Sequence, residues 1–378
     1  LNRFCIENFD NMSDDEIESK PPLEARVAER HALQIAQTFS GNRVLCSSIG
    51  RGQAAAAIAK DRPEAEVTLW YLDQYWQHLA ATEIGQQSGL SIVCSADFPP
   101  GPFDLAVLPF SFRGEAELTR DLIQQAFDRL AIDGHLVVST DNPRDRWLHD
   151  QLREMFPKVT VIASEEAAGY VIKKRAEQKR PRPLKCEFAF RDGQRLVRAV
   201  SRPGVFSHRR LDPGARQLID AIPWPIETSP GKTLRVVDIG CGCGAVGVAI
   251  AARAQGNNQG EAMPIEVLAI DSNSRAVACT AESADLNGLT TLTARLNCFG
   301  EVDQPATYDL AVANPPYYAD FRIAKLFVDS ALKALVAGGA LYLVTKNATW
   351  YQENLFPGWR DIRIHPSGQY FIVTARRG

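Results

Sequence analysis

The four residues DLAV occur twice, beginning at Asp104 and again at Asp309, and the surrounding pattern is the same in both places. An aromatic residue precedes each copy (Phe103, Tyr308), and a helix-like run, a glycine and a further apolar strand follow. With Asp104 set against Asp309, 205 positions apart, the order of elements agrees on both sides. In the first half RVLCSSIG, EVTLWYLD, FDLAVLPF and HLVVST alternate with helical spacing over LEARVAERHALQIAQTF, GQAAAAIA and DLIQQAFDRLA. In the second half RVVDIG, EVLAID, TLTARLN, DLAVAN and ALYLVTK alternate with LDPGARQLIDAI, GAVGVAIAARA and AKLFVDSALKALV. Strands alternating with helices predict a mostly parallel sheet with helices on both faces. Asp133-Gly134 and Gly338-Gly339 read as stops that close the helices before them. AAGYVIKK and PSGQYFIVTARR read as matching terminal hairpin strands entered through a glycine turn. The chain therefore reads as a duplication: two tandem α/β domains, each with a terminal antiparallel hairpin.

A length of 378 residues accommodates two cores. Residues 1–20 are acidic and polar and read as a flexible tail. The first domain is expected over 21–175, a basic linker over 176–186 and the second domain over 187–378. That second domain opens with CEFAFRDGQRLVRAV, where Asp192-Gly193 between alternating segments predicts a tight hairpin. No run approaches a membrane span and no N-terminal segment resembles a secretory signal, so a cytoplasmic protein without membrane contact is expected, in the monomeric state. Eight scattered Cys without a C-x-x-C pair, and six isolated His, predict no metal site. A net charge of −3 argues against indiscriminate binding to nucleic acid. Yet KKRAEQKRPRPLK, Lys173 to Lys185, holds seven cations against one acid and suits either a solvated linker or phosphate contacts on RNA.

Two stretches of the second half carry chemistry that the first half lacks. In RVVDIGCGCGAVG, Gly240, Gly242, Gly244 and Gly247 follow a buried strand and lead into a helix. Glycines at such a turn let the backbone approach a ligand and take conformations closed to other residues. From Gly242 the spacing fits G-x-G-x-x-G, so this stretch alone also suits a dinucleotide pyrophosphate. Asp238, just before the glycines, suits a cationic or hydroxyl-bearing ligand better than a phosphate. Asp271, ending EVLAID, suits bidentate bonding to ribose hydroxyls and does not discriminate between the two kinds of cofactor. The second stretch is NPPYY, at the C-terminal end of the strand DLAVA, where ligands of open α/β sheets collect. Two prolines fix an extended turn without backbone donors. Asn314 offers a side-chain carbonyl and Pro315 a main-chain one, two acceptors suited to a planar –NH2 group, and Tyr317 offers a face for stacking.

These residues resemble those of class I S-adenosylmethionine-dependent methyltransferases, with DIGCGCG as first motif and NPPY as the signature of amino-group methylation. PGVFSHRRLDPGARQLI (Pro203 to Ile219) is similar to the segment before the first motif in bacterial ribosomal RNA guanine-N2 methyltransferases, and LNCFGEV to their third motif. The resemblance implies tandem Rossmann-like methyltransferase domains, the first without cofactor chemistry. It assigns S-adenosylmethionine to Asp238, Gly240, Gly242, Gly244, Asp271, Ser272, Asn297, Cys298 and Asn314, and the reacting amino group to Asn314, Pro315 and Tyr317. It implies ribosomal RNA or a ribosomal subunit as partner. In the first copy Cys46 stands for Asp238 and LPFSF for the Asn-Pro-Pro stretch. Where the family has Phe-His after its prolines, this chain has Tyr317-Tyr318, so adenine-N6 and release-factor glutamine methylation stay open beside guanine N2. A nicotinamide oxidoreductase leaves NPPY unexplained, and a non-catalytic RNA-binding protein leaves the intact second site unexplained.

Overall fold

The repeated aspartate is a structural staple. In the computed structural model, which describes residues 24–177, 183–226, 231–256, 262–316, 321–355 and 357–378, Asp104 Oδ2 accepts from the backbone N–H groups of Asn42 (2.8 Å) and Arg43 (2.9 Å). Asp309 does the same in the second copy, accepting from Arg235 N–H (3.0 Å) and from Lys232 Nζ (2.5 Å). Each carboxylate thus ties the start of one central strand to the start of its neighbour.

The chain divides between Leu184 and Lys185 into two units. The first runs α1 (Val27–Ala36), β1 (Arg43–Ser47), α2 (Gln53–Asp61), β2 (Glu66–Tyr71), α3 (Gln74–Ile84), β3 (Leu90–Cys94), β4 (Phe103–Phe110), α4 (Ala116–Asp128), β5 (Leu130–Thr140), α5 (Trp147–Met155), β6 (Thr160–Ala163) and β7 (Ala168–Lys173). The second begins with a hairpin, β8 (Cys186–Asp192) and β9 (Arg195–Ser201), turning at Gly193 with a φ of 58° as Asp-Gly predicts. It continues with α6 (Pro213–Ala221), β10 (Leu234–Ile239), α7 (Ala245–Ala254), β11 (Ile265–Asp271), α8 (Ser274–Leu286), β12 (Leu292–Leu296) and β13 (Tyr308–Ala313). It ends with α9 (Arg322–Ala334), β14 (Leu335–Thr345), α10 (Ala348–Asn354), β15 (Trp359–Ser367) and β16 (Tyr370–Arg377).

The two sheets share one order, β3-β2-β1-β4-β5-β7-β6 and β12-β11-β10-β13-β14-β16-β15. All pairings are parallel except those of β7 and β16, which run antiparallel to both neighbours. Central strands covered on both faces need apolar residues throughout; β4 and β13 are accordingly buried except at the stapling aspartate. Each sheet carries an apolar cluster on either face. Among the described residues, no helix is long and apolar enough to cross a membrane.

Two expectations need correction. Asp133-Gly134 and Gly338-Gly339 do not close helices: α4 and α9 end at Asp128 and Ala334, and both pairs lie inside β5 and β14. The register slips between Phe103 and Leu105 in one unit and between Tyr308 and Leu310 in the other, so each strand bulges there. Asp133 and Gly338 hold the left-handed φ values of 70° and 77° that the bulge requires. Backbone crowds the following glycine: a Cβ at Gly339 would lie 3.0 Å from Val336 O and 3.1 Å from Tyr308 O. The second correction concerns the basic stretch. Lys174 is buried, with Nζ donating to the carbonyls of Asp128 and Leu130 at 2.9 Å each, and Lys173 is paired with Asp133 at 2.7 Å. Lys174 is therefore a strand-end anchor, not a phosphate ligand; Lys179, Arg180 and Arg182 lie outside the described residues.

Candidate active site

At the C-terminal end of β10 the backbone turns through Gly240, Gly242 and Gly244, whose φ values are 73°, 58° and 79°. These are left-handed conformations in which a side chain is strained. Two of the glycines are also required by packing. A Cβ at Gly240 would lie 2.5 Å from the Phe327 ring, and one at Gly244 would lie 2.7 Å from Thr280. At Gly242 no atom lies within 4 Å of such a Cβ, so this residue marks the open side of the loop. Thr280 is buried and donates its hydroxyl to Gly242 O at 3.1 Å, holding the turn from α8. Burial pushes the Cys243 thiol up to about 12 and the Cys241 thiol well above its usual range, so both stay protonated and neither is a nucleophile.

Asp238 is buried with Oδ2 accepting from Gly247 N–H of α7 at 2.9 Å. Loss of water raises its pKa to about 7, and the Asp271 charge adds to the effect. Asp271 ends β11 with one oxygen accepting from Gly242 N–H and the other from Asn273 N–H, both at 2.9 Å. The carboxylate is thereby fixed beside the glycine loop, and Ser272 follows it. Asn297 shapes its own loop: Oδ1 accepts from Phe299 N–H (2.9 Å) and Glu301 N–H (3.2 Å), and Nδ2 donates to Glu301 O at 3.1 Å. Cys298 is buried beneath this turn while Phe299 is left 46% exposed.

Asn314 follows β13, next to β10 in the sheet. Its Nδ2 donates to Asp212 Oδ2 at 3.0 Å. That commits the NH2 side of the amide to a carboxylate and leaves Oδ1 as the atom available to accept from a ligand. Asp212 is also the N-cap of α6, accepting from Ala215 N–H at 2.8 Å, with Pro213 as the first helical residue. Gly214 completes the arrangement, since a Cβ there would lie 2.9 Å from Asp212 Oδ2, 3.2 Å from the Tyr370 ring and 3.4 Å from Asn314 Oδ1. Pro315 is buried beside Asn314; Tyr317 and Tyr318 lie outside the described residues. The helix itself was legible in LDPGARQLIDAI; its cap at Asp212 is a finding of the structure. Its link to Asn314, across 102 positions, had no sequence signal.

The first unit repeats the scaffold of this site with its contents changed. Gly52 opens α2 in the left-handed conformation, as Gly244 opens α7. Cys46 pairs in register with Leu69 as Asp238 pairs with Ala269, which sets Tyr71 against Asp271. The Tyr71 hydroxyl donates to Gly50 O at 3.2 Å, so a phenol occupies the loop where the second unit presents a carboxylate. Glu29 enters from α1, buried, and accepts from Ser48 Oγ at 3.0 Å.

Residues 197–375 match the model of the methyltransferase small domain family. Over 177 residues the chain is 34% identical to ribosomal RNA small subunit methyltransferase C of Chromohalobacter salexigens, covering 46% of this chain and 49% of that protein. The protein of the same description from Alcanivorax borkumensis is 31% identical over 46% of this chain and 50% of its own length. The chain thus spans about half the length of these curated relatives. In fold, 92% of the chain superposes on 92% of the Thermus thermophilus 16S rRNA N2 G1207 methyltransferase, solved with AdoMet and guanosine, with a TM-score of 0.73 and 20% identity.

Proposed function

We propose that the chain transfers a methyl group from S-adenosylmethionine to an exocyclic amino nitrogen, guanine N2 of ribosomal RNA. The observation that carries the proposal is the Asp212–Asn314 pair at 3.0 Å, which presents a carbonyl oxygen at the end of β13, one strand from a glycine loop. The donor set fits the cofactor: an open backbone turn at Gly242 for close approach, the fixed carboxylate of Asp271 for ribose hydroxyls, and the Asn297–Cys298 turn beside them. Ser272, Gly240, Gly244 and Asp238 complete the shell, the last from beneath. The bound cofactor supplies an electrophilic methyl group. The residues of this chain position the acceptor.

An exocyclic amino nitrogen is a poor nucleophile because its lone pair is delocalised into the ring. Asn314 Oδ1 and the Pro315 carbonyl accept its two hydrogens and so direct the lone pair outward. Both acceptors gain strength as positive charge develops on nitrogen, and they are set in place beforehand; the methylated nitrogen, acidified by that charge, then releases its extra proton to water. In this reading Tyr317 stacks on the base once it has left its helix. The first unit is assigned no cofactor.

Asn314→Ala is the decisive variant. Turnover in a single-turnover assay should fall by about 10²–10³-fold, as for loss of one preorganised hydrogen-bonding group. Cofactor affinity by calorimetry should fall far less than turnover, because the glycine loop and the Asp271 carboxylate stay in place. Near-normal turnover would remove the amino-group mechanism. Identifying the modified nucleoside from small-subunit RNA tests the acceptor, since N6-methyladenosine in place of N2-methylguanosine would exclude guanine.

A further inference from the structure

We propose that the first unit keeps a working base-binding cleft at the C-terminal ends of β4 and β5, where an unstacked nucleotide of single-stranded RNA lies against Phe112 and Trp147. The proposal presupposes the RNA substrate proposed above and adds to it a second contact, away from the reacting site. The cleft has a volume of about 370 Å³ and is lined by Phe110, Phe112, Thr119, Arg146, Trp147 and Leu148 among others. By the 205-residue correspondence, Phe110 holds the position of Pro315 and Phe112 that of Tyr317. The cleft therefore corresponds in sequence to the second unit's Asn-Pro-Pro stretch at the end of β13.

The two sides of the duplicated site have fared differently. On the cofactor side Cys46 replaces a carboxylate and the Tyr71 hydroxyl is bonded into the loop at Gly50. On the acceptor side the cleft remains, and its aromatic residues stand in solvent: Phe112 is 53% exposed and Trp147 41%. A single exposed ring is ordinary, but two that line one cleft form the kind of contiguous apolar patch that marks a recognition surface. The Phe112 loop is fixed, because Asp141 Oδ1 accepts from Phe112 N–H at 2.6 Å and Oδ2 from Ser111 Oγ at 3.5 Å.

Guanidinium groups stand beside both rings. The Arg113 guanidinium lies 5.1 Å from the Phe112 ring centre and that of Arg120 5.5 Å from Trp147. Arg144 and Arg146 are exposed at the same rim. Of the acids at this rim, Asp145 is engaged by His149 N–H (3.2 Å) and the Tyr170 hydroxyl (3.0 Å), and Asp141 by the Phe112 loop, while Glu115 and Glu117 open α4 beside the cleft. Rings that take a base and guanidinium groups that take phosphate are the pair by which single strands are held without strict sequence preference.

The test uses the full chain and a short fluorescein-labelled single-stranded RNA, with anisotropy read at fixed salt. Phe112→Ala and Trp147→Ala should each weaken binding by about 5- to 150-fold, whereas Phe112→Tyr and Trp147→Phe should bind as the parent does. Ultraviolet cross-linking of the unmodified chain to a 5-iodouridine RNA should place the adduct on Phe112 or Trp147. Unchanged affinity in both alanine variants, or adducts only elsewhere, overturns the proposal. So does a pattern in which Arg113→Gln and Arg146→Gln weaken binding while the alanine variants do not, because that is phosphate attraction alone. Equal competition by a duplex of the same sequence also overturns it. Methyl transfer is read separately: a chain that binds RNA through Phe112 yet methylates none fails the proposed reaction and leaves the cleft standing.

Discussion

Asp212 and Glu29 are side chains whose work lies in what they do to other residues. Asp212 turns the Asn314 amide, and it also caps α6, so the two tasks must be separated by substitution. Asp212→Ser keeps a capping oxygen but is too short to reach Nδ2. The amide is then free to rotate and present its donor side. Turnover should fall by up to about 10²-fold through misplacement of the acceptor, with RNA and cofactor affinity unchanged and the unfolding midpoint retained. A variant as active as its parent would show that Asn314 orients itself. Glu29 bears on pH. Its carboxyl ionises near 4.5 in an unfolded chain but is raised to about 7 by burial here, although its bonds to Ser48 and Ala54 and the Arg26 charge pull the other way. Below the lower value both states are neutral and nothing is lost. Between the two values the unfolded state alone ionises, so stability falls as pH rises and the loss is complete above the upper one. Glu29→Gln removes this dependence. Relative to the parent, the variant should gain about 3 kcal/mol between the acid and alkaline ends of that window, from 1.36 kcal/mol per pK unit, read from denaturant midpoints.

At the scale of elements, the bulges of β5 and β14 show what sequence pattern conveys and what it hides. Alternation and spacing were enough to find the central strands, the β8–β9 hairpin at Asp192-Gly193 and the helices around them. A glycine pair at the end of a helical run was read as a stop, because a helix C-cap and a bulge both demand left-handed backbone. Only the pairing of Phe103 with Leu130 and of Leu105 with His135 distinguishes them, and that pairing is long-range. The candidate site divides in the same way. The glycines, Asp271 and Asn314 were legible because local turn chemistry and strand ends mark them. Asp212, Thr280 and the Tyr71 replacement were not, because each acts on a residue distant in sequence. The bulge itself can be tested at Gly338, where Val would be forced into a φ of 77°. The substitution should cost about 1–2 kcal/mol for the left-handed conformation, seen as a lower thermal midpoint. An unchanged midpoint would mean that the strand can pair without the bulge.

For the whole chain, the two units predict opposite responses to the same change. Gly244→Ala brings a Cβ to 2.7 Å from Thr280, and Gly52→Ala brings one to 2.3 Å from Leu69, so both loops are disturbed alike. If cofactor binding resides in the second unit alone, calorimetric heat with S-adenosylmethionine should vanish in Gly244→Ala and persist in Gly52→Ala. The reverse outcome would move the cofactor to the first unit. The stapling aspartates bear on a different question, that of descent. Asp104 and Asp309 fasten the N-terminal ends of neighbouring strands, whereas open α/β sheets in general collect ligands at the C-terminal ends. Mutations that rewrite one rim of the sheet therefore leave the fastening at the other rim untouched. A lineage can let one copy drift to a new task, or to none, while the sheet that carries it persists, and chains of this kind should diverge asymmetrically, with their variation gathered at a single rim.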